Sequence, residues 1–237
     1  MPSAEYSVPA LDKAFDVLEL LADSTRPLSQ TDIAEATGRT VSQLFRVLTT
    51  LESRGWLLRD PDSGLYSFSM AAFDLAHRQP ALRGLLDASL PLMRALSEQV
   101  RQSCNLSVLD AGAVRVIAQL ESPADFGYRV RVGAVFPADT TATGAVLLGG
   151  VESLLREDPL QAGITDLVVA IRGQVAVRGP EGAPVGHARA ALTVPYVATS
   201  FSAIPIQQVL TATTATARAI EARLGGPLAE SSQTTGQ

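Results

Sequence analysis

The sequence predicts an α+β chain in two parts, a small N-terminal unit of three helices and a hairpin followed by a larger unit built on an antiparallel sheet. Three observations predict it. From residue 11 to residue 54 apolar side chains recur at three- and four-residue spacing in three separate blocks, the period of amphipathic helices. Residues 56–68 then read as strand, turn and strand. Beyond residue 100, strand-like runs are joined by short links such as Asp110-Ala111-Gly112-Ala113, which suit antiparallel neighbours and not crossover helices. The length of 237 residues also favours two cores over one.

The first block, 11–22, carries Leu11, Ala14, Phe15, Leu18, Leu21 and Ala22 on one stripe. Pro27 ends it, and Ser29 or Thr31 can cap a short second helix near 30–37, with Asp32 and Glu35 in its early turns. Gly38 stops that helix. A third helix, 40–54, shows Val41, Leu44, Val47, Leu48 and Leu51 on one side, with Gly55 placed to terminate it. Residues 56–59 and 65–68 form the expected hairpin around Asp60-Pro61-Asp62-Ser63-Gly64, and a helix at 70–77 follows. Pro80 and Gly84 mark 79–86 as a linker between a domain at 7–78 and a second at 87–225. In the second, a helix runs through Leu92, Leu96 and Val100. Segments 105–109, 114–121, 128–132, 166–177 and 188–197 look extended, while 143–155 and 206–224 look helical. The tail at 226–237, rich in Ser, Thr, Gly and Gln, is expected to be disordered.

Composition bounds what the chain can do. With 46% hydrophobic and 18% charged residues it can bury a core, which excludes global disorder. No run is apolar enough to span a bilayer, and residues 1–10 hold only Glu5 as a charge, without the basic and apolar regions of a secretory signal. The lone Cys104 cannot make an intrachain disulfide, and His77 and His187 lie far apart, so no metal site and no cofactor is expected and a reducing cytoplasm fits. Cys104 reads as a small buried hydrophobe. The net charge of −5 works against nucleic-acid binding unless the positive charge is concentrated.

It is concentrated. Residues 39–59 hold four arginines, Arg39, Arg46, Arg54 and Arg59, against one acid, Glu52, although residues 1–80 as a whole carry seven bases and eleven acids. Residues 30–55 have the helix, glycine turn and second helix of a helix-turn-helix, and the hairpin would be its wing. On the second of those helices Thr40, Ser42, Gln43 and Arg46 face away from the apolar stripe and suit phosphate and base hydrogen bonding, Gln43 and Arg46 above all. The same helices and hairpin also serve as dimerisation or protein-docking modules, so periodicity by itself leaves both readings open.

The residues resemble the IclR family of bacterial transcriptional regulators from Leu11 to about Gly225. Leu11-Asp12-Lys13-Ala14-Phe15-Asp16-Val17-Leu18 looks like the family's opening helix, Leu28-Ser29-Gln30-Thr31-Asp32-Ile33-Ala34 like its second, and Ser42-Gln43-Leu44-Phe45-Arg46-Val47-Leu48 with Leu51-Glu52-Ser53-Arg54-Gly55-Trp56 like its recognition helix. Gly64-Leu65-Tyr66-Ser67-Phe68 resembles the wing, although Phe68-Ser69 stands where a Leu-Gly pair is usual. Phe136-Pro137-Ala138-Asp139-Thr140-Thr141-Ala142-Thr143-Gly144 is similar to the loop and helix start beside the family's effector pocket, and residues 163–167 and 191–196 to two later strands. The resemblance implies a winged helix-turn-helix domain joined to a GAF/profilin-like α+β domain, a homodimer or dimer of dimers, and a pocket lined by Asn105, Ala142, Thr143, Asp166 and Thr193.

A Thr-rich turn at 140–144 offers hydroxyls and backbone N–H groups, the donors an organic or aromatic acid would need. The expectation is therefore a regulator that binds duplex DNA, has no catalytic residues, and responds to a small-molecule effector. The rivals are a metabolite-binding enzyme, against which stands the lack of a nucleophile elbow, phosphate loop or acid–base dyad, and a winged-helix module that docks protein instead of DNA.

Overall fold

The computed structural model describes residues 8–125, 127–149, 151–158, 161–173, 188–198 and 204–225, in two compact units, 1–80 and 81–237. The first unit runs α1 (Pro9–Asp23), α2 (Gln30–Ala36), α3 (Val41–Ser53), β1 (Leu57–Arg59), β2 (Tyr66–Phe68) and α4 (Ala71–His77). Its helix boundaries are written in local chemistry. Ser29 and Asp32 form a reciprocal capping box at the start of α2, and Thr40 with Gln43 forms another at the start of α3. Both helices end on the same device. Gly38 (φ +65°) and Gly55 (φ +76°) take the left-handed turn, letting Arg39 N–H reach the Ala34 carbonyl at 2.9 Å and Trp56 N–H the Leu51 carbonyl at 2.8 Å.

The core of this unit joins Val17 and Leu21 of α1, Ile33 of α2, and Leu44, Leu48 and Leu51 of α3 to Leu57 and Tyr66 of the hairpin. The buried stripe of α1 is rotated from the expected one: Val17 is fully buried, whereas Leu11 and Phe15 are 54% and 58% exposed. β1 and β2 pair antiparallel with Arg59 opposite Tyr66, and Leu28 adds an isolated bridge on the other side of β2 through two bonds to Tyr66 of 2.9 and 2.8 Å. Ser69, the departure from the usual wing ending, is buried. Its hydroxyl donates to the Gly55 carbonyl at 2.5 Å and accepts from Ala71 N–H at 3.1 Å, tying the end of α3 to the start of α4.

The second unit carries α5 (Pro80–Val100), β3 (Cys104–Asp110), β4 (Ala113–Leu120), β5 (Val135–Pro137), α6 (Ala142–Leu147), β6 (Ser153–Glu157), β7 (Ile164–Ile171), β8 (Ala190–Val197) and α7 (Ile206–Arg223). The six strands form one antiparallel sheet in the order β5-β4-β3-β8-β7-β6. Met93, Leu96 and Val100 of α5 and Val209, Ala217 and Ile220 of α7 pack on one face with Leu106, Leu167, Val169, Ile171 and Leu192. Val146 and Leu147 of α6 pack on the other with Val114, Val168, Ala170 and Ala191. Because both faces of β7 and β8 are covered, those strands are almost continuously apolar and buried. Cys104 lies in the first of these cores with its thiol against the Met93 carbonyl at 3.5 Å, and burial pushes that thiol up to about 12.

The segment 79–86, expected as a linker, is helical from Pro80, and Leu85 is already buried; proline is tolerated in a first turn and Gly84 costs a helix only about 1 kcal/mol. Three expectations are corrected. The segment 128–132 alternates like a strand but has no strand partner. It leads into a turn at Gly133 (φ +88°), and the unforeseen β5 takes the free edge of β4. The apolar run 143–155 is split: α6 stops at Leu147, Gly149 turns the chain (φ +87°), and Ser153–Glu157 pairs with β7. The strand expected over 166–177 is Ile164–Ile171, residues 174–177 lying outside the described residues. The tail at 226–237 also lies outside them.

Candidate functional sites: a helix face and a cavity

The outer face of α3 begins at its cap. Thr40 Oγ1 accepts Gln43 N–H at 3.4 Å, and Gln43 Oε1 accepts Thr40 N–H at 3.1 Å. Ser42 lies 3.1 Å from Thr40 Oγ1. Thr40, Ser42, Gln43 and Arg46 are all exposed, and Arg46 makes no ion pair among the described residues. Between Gln43 and Arg46 the structure adds Phe45, 61% exposed, which the sequence analysis did not single out. The signal was available: Phe45 lies outside the Leu44, Leu48, Leu51 stripe, so the helical period alone puts it on the solvent side.

The remaining arginines divide. Arg54 is exposed at the C-cap of α3, where a cation also complements the helix terminus. Arg59 lies on the wing with its guanidinium 5.5 Å from the Tyr66 ring centroid, a cation–π contact that leaves it exposed. The loop beyond it is tied down by Asp60, whose carboxylate accepts the Ser63 hydroxyl at 2.6 Å and its N–H at 2.7 Å and is held below the usual carboxylate range by those bonds. Arg39 is committed elsewhere. Its guanidinium is paired with Asp16 of α1 and its Nε is buried, so this side chain fastens α1 to the α2–α3 turn and does not join the outer face.

The second site is a cavity of about 100 Å³ in the second unit, on the sheet face that carries α6. Strand alternation builds it. Asn105 and Ser107 of β3, Thr193 and Pro195 of β8 and Asp166 of β7 line it, each pair two residues apart and therefore on one face. Asn105 lies opposite Thr193, and Asp166 opposite Pro195. Thr143 of α6 reaches Thr193 with a hydroxyl–hydroxyl distance of 3.0 Å, and Ser107 donates to Asn105 Oδ1 at 3.2 Å. Val114, Val116, Val130 and Phe136 supply the apolar wall, and Tyr128, whose hydroxyl accepts from Gln161 at 2.6 Å, part of the rim.

Four of the five residues expected here, Asn105, Thr143, Asp166 and Thr193, thus line one cavity. Ala142 does not. It is 2% exposed and packed in the core beneath α6. Ser107 and Pro195 were missed although period-two spacing from Asn105 and Thr193 points to both; Asp158, Tyr128 and Val130 come from irregular segments and carry no such signal.

Two further features shape this cavity. Burial, and then the charge of Asp158, push the Asp166 carboxyl up to about 6, partly offset by Arg156. Gly144 holds α6 against the preceding loop so closely that a Cβ there would sit 2.0 Å from the Ala138 carbonyl oxygen. Thr141 caps the helix by accepting Gly144 N–H at 3.1 Å. The described residues contain no group of three or more His, Cys, Asp or Glu side chains placed to hold a metal ion.

Comparison with known proteins follows the same division. Residues 10–61 match the IclR helix-turn-helix domain, and residues 81–162 match the bacterial transcriptional regulator IclR C-terminal domain. The HTH-type transcriptional regulator BhcR of Paracoccus denitrificans is 34% identical over 115 residues, 48% of this chain and 40% of that protein. The HTH-type transcriptional regulator KdgR of Dickeya chrysanthemi is 28% identical over 142 residues, 60% of this chain and 46% of that protein. The matches thus span about half the length of these curated relatives. Among solved structures, an IclR homologue from Microbacterium hydrocarbonoxydans complexed with 4-hydroxybenzoate superposes with a TM-score of 0.69 at 22% identity, covering 91% of this chain and 99% of that one. The Thermotoga maritima IclR gives 0.68 at 19% identity, covering 92% and 99%. At these identities the structural matches speak for the fold, two-part and α+β.

Proposed function

The chain belongs to the IclR family of bacterial transcriptional regulators, and from that premise we propose that it is a DNA-binding regulator, not an enzyme, whose operator affinity is set by a small molecule held in the cavity beside α6. The observation that carries the reading is the outer face of α3, where Thr40, Ser42, Gln43, Phe45 and Arg46 stand exposed on a helix fixed from behind by Leu44, Leu48 and Leu51. Hydroxyls and Arg46 serve phosphates, Gln43 and Arg46 serve base edges, and Phe45 suits a thymine methyl in the major groove. Arg54 and the wing residue Arg59 add phosphate contacts. In this reading residues 7–78 are the DNA-binding domain, 87–225 the effector domain, and 79–86 the segment that couples them.

Two copies would lower their α3 helices into successive major grooves about 34–36 Å apart on a near-palindromic duplex. Self-association, as a homodimer or dimer of dimers, is supported by the apolar side chains left in solvent: Val8, Leu11 and Phe15 along α1, and Met70, Phe73 and Leu75 along α4. The 4-hydroxybenzoate complex of the Microbacterium homologue supports a small organic ligand as the effector. Such a ligand shifts DNA affinity only by its own preference between DNA-competent and incompetent states, a coupling of about 1–3 kcal/mol. The cytoplasm is the proposed compartment, and among the described residues no helix is long and apolar enough to cross a membrane.

Selection of bound duplexes from a random pool tests the reading. Arg46→Ala should weaken the selected duplex by about 1–3 kcal/mol and relax preference at one position per half-site, with unfolding by urea unchanged. A protein that shows no salt-dependent retention on any duplex would be a protein-docking module instead.

A further inference from the structure

The inference rests on the cavity beside α6 being the effector site, and it concerns what that cavity takes. We propose that the ligand is a neutral polyhydroxylated compound with one carbon-rich face, not a carboxylate. The charged residues lining the described wall are Asp158 and Asp166, and no Lys or Arg among the described residues lines it. An organic or aromatic acid, the class that the Thr-rich turn suggested, would bring its carboxylate against two others, while the neighbouring cation, Arg156, lies opposite Asp166 and is already bonded to the Thr140 carbonyl.

The polar groups of the wall ask for something else. Asn105, Ser107, Thr143 and Thr193 are each at least nine-tenths buried, and the bonds they make are to one another. A hydroxyl has one donor and two acceptor sites, so these two pairs leave both kinds of capacity facing the cavity. Ligand hydroxyls match that mixture, donating to the carboxylates and to the Ser107 oxygen while accepting from a threonine hydroxyl and from the Asn105 amide N–H. An ammonium ion matches it less well. Arg156 lies opposite Asp166 in the β6–β7 register and donates to the Thr140 carbonyl, so its charge already offsets part of what a cation would gain.

Val114, Val116 and Phe136 add apolar lining to the cavity, suited to the C–H groups of a polyol or small sugar. Asp166 fits the same class in either protonation state. With its carboxyl pushed up to about 6 it accepts at neutral pH and can donate in mild acid, whereas a carboxylate ligand would find the wall tolerable only as the pH falls through that value.

Calorimetry on the full chain tests this with glycerol, xylitol and glucose as neutral probes, ethanolamine as the ammonium, and benzoate and pyruvate as carboxylates. At about pH 7.5 a neutral probe should bind at least roughly tenfold more tightly than any of the others. Asp166→Asn should weaken the neutral probe severalfold and strengthen benzoate about tenfold, and Asp158→Asn should act in the same sense if the first variant folds poorly. Thr193→Val should abolish the binding, which locates it. Carboxylates that bind best near neutral pH and are indifferent to Asp166→Asn, but lost in Thr193→Val, overturn the ligand class and leave the effector site standing; tightest binding by ethanolamine overturns it equally. Binding that survives Thr193→Val, or silence from every probe together with unchanged operator affinity, sinks the effector-site reading too.

Discussion

Gln43 is asked to do two jobs with one amide, and its replacement separates them. In the free protein Oε1 accepts the Thr40 N–H at 3.1 Å, closing the capping box of α3, while Thr40 Oγ1 holds the Gln43 N–H. Gln43→Ala removes only the first bond, since the second is to backbone, and exposed caps of this kind are worth about 0.5–1 kcal/mol. Reading an adenine through both amide atoms is worth about 1–3 kcal/mol, and it requires Oε1 to release Thr40, so the net gain on DNA is reduced by the value of the cap. The expected loss of operator affinity for Gln43→Ala is therefore about threefold to thirtyfold, confined to one base position per half-site. Gln43→Glu keeps the cap, because a carboxylate serves as well at that position and favours a helix N-terminus, yet it sets a negative charge against the phosphates. Urea unfolding followed by circular dichroism should show Ala destabilised and Glu not. Fluorescence anisotropy on a selected duplex and its single-base variants should show Glu the weaker binder of the two. Equal destabilisation by Ala and Glu would refute the cap, and an Ala variant with unaltered base preference would refute the readout.

Two other perturbations report on the second unit. Gly144→Ala puts a methyl 2.0 Å from the Ala138 oxygen and 2.6 Å from its carbonyl carbon, so α6 must move; the overpacking should cost about 1–3 kcal/mol or more in urea unfolding and break the 3.0 Å Thr143–Thr193 contact, reducing probe binding in the cavity. Asp166 makes stability depend on pH in the unusual direction for a carboxylate. Its folded value of about 6 lies above the unfolded value of 3.8, so the folded state binds the proton more tightly, and the contribution to stability falls as pH rises between those values by at most about 2–3 kcal/mol. Asp166→Asn should accordingly stabilise the protein at neutral pH and much less near pH 4, measured as the difference in urea midpoint from the parent chain; a difference that is flat across that window would remove the half-buried carboxylate, only partly offset by Arg156, from the account.

How much of this could be read without coordinates depended on the range of the interactions involved. The helices of the first unit were legible because each is specified by residues within a turn or two of one another: the Ser29–Asp32 and Thr40–Gln43 boxes, the Gly38 and Gly55 terminators, and the Leu44, Leu48, Leu51 stripe. The α+β class, the antiparallel links and the outward polar face of α3 follow from the same short-range patterns. Sheet edges do not, since alternation marks a segment that could be half buried but not whether a partner lies beside it. For that reason 128–132 looked like a strand and Val135–Pro137, with its proline, did not, although the edge of β4 accepted the second.

Which charges remain free was likewise decided by packing. Arg39 and Arg46 are indistinguishable as members of a basic cluster, yet Asp16, 23 residues earlier, claims the first and leaves the second on the exposed face. The cavity gathers residues from eight segments spread over about ninety positions, and its polar lining became recognisable only once strand register set Asn105 beside Thr193 and Asp166 beside Pro195. The chain alone therefore declared the helices of its first unit, their ends and its class, because hydrogen bonds and periodicity act over a few residues. Which apolar faces stay in solvent, which arginine is spent, and what charge a ligand meets in the cavity are long-range questions, and only the folded contacts answered them.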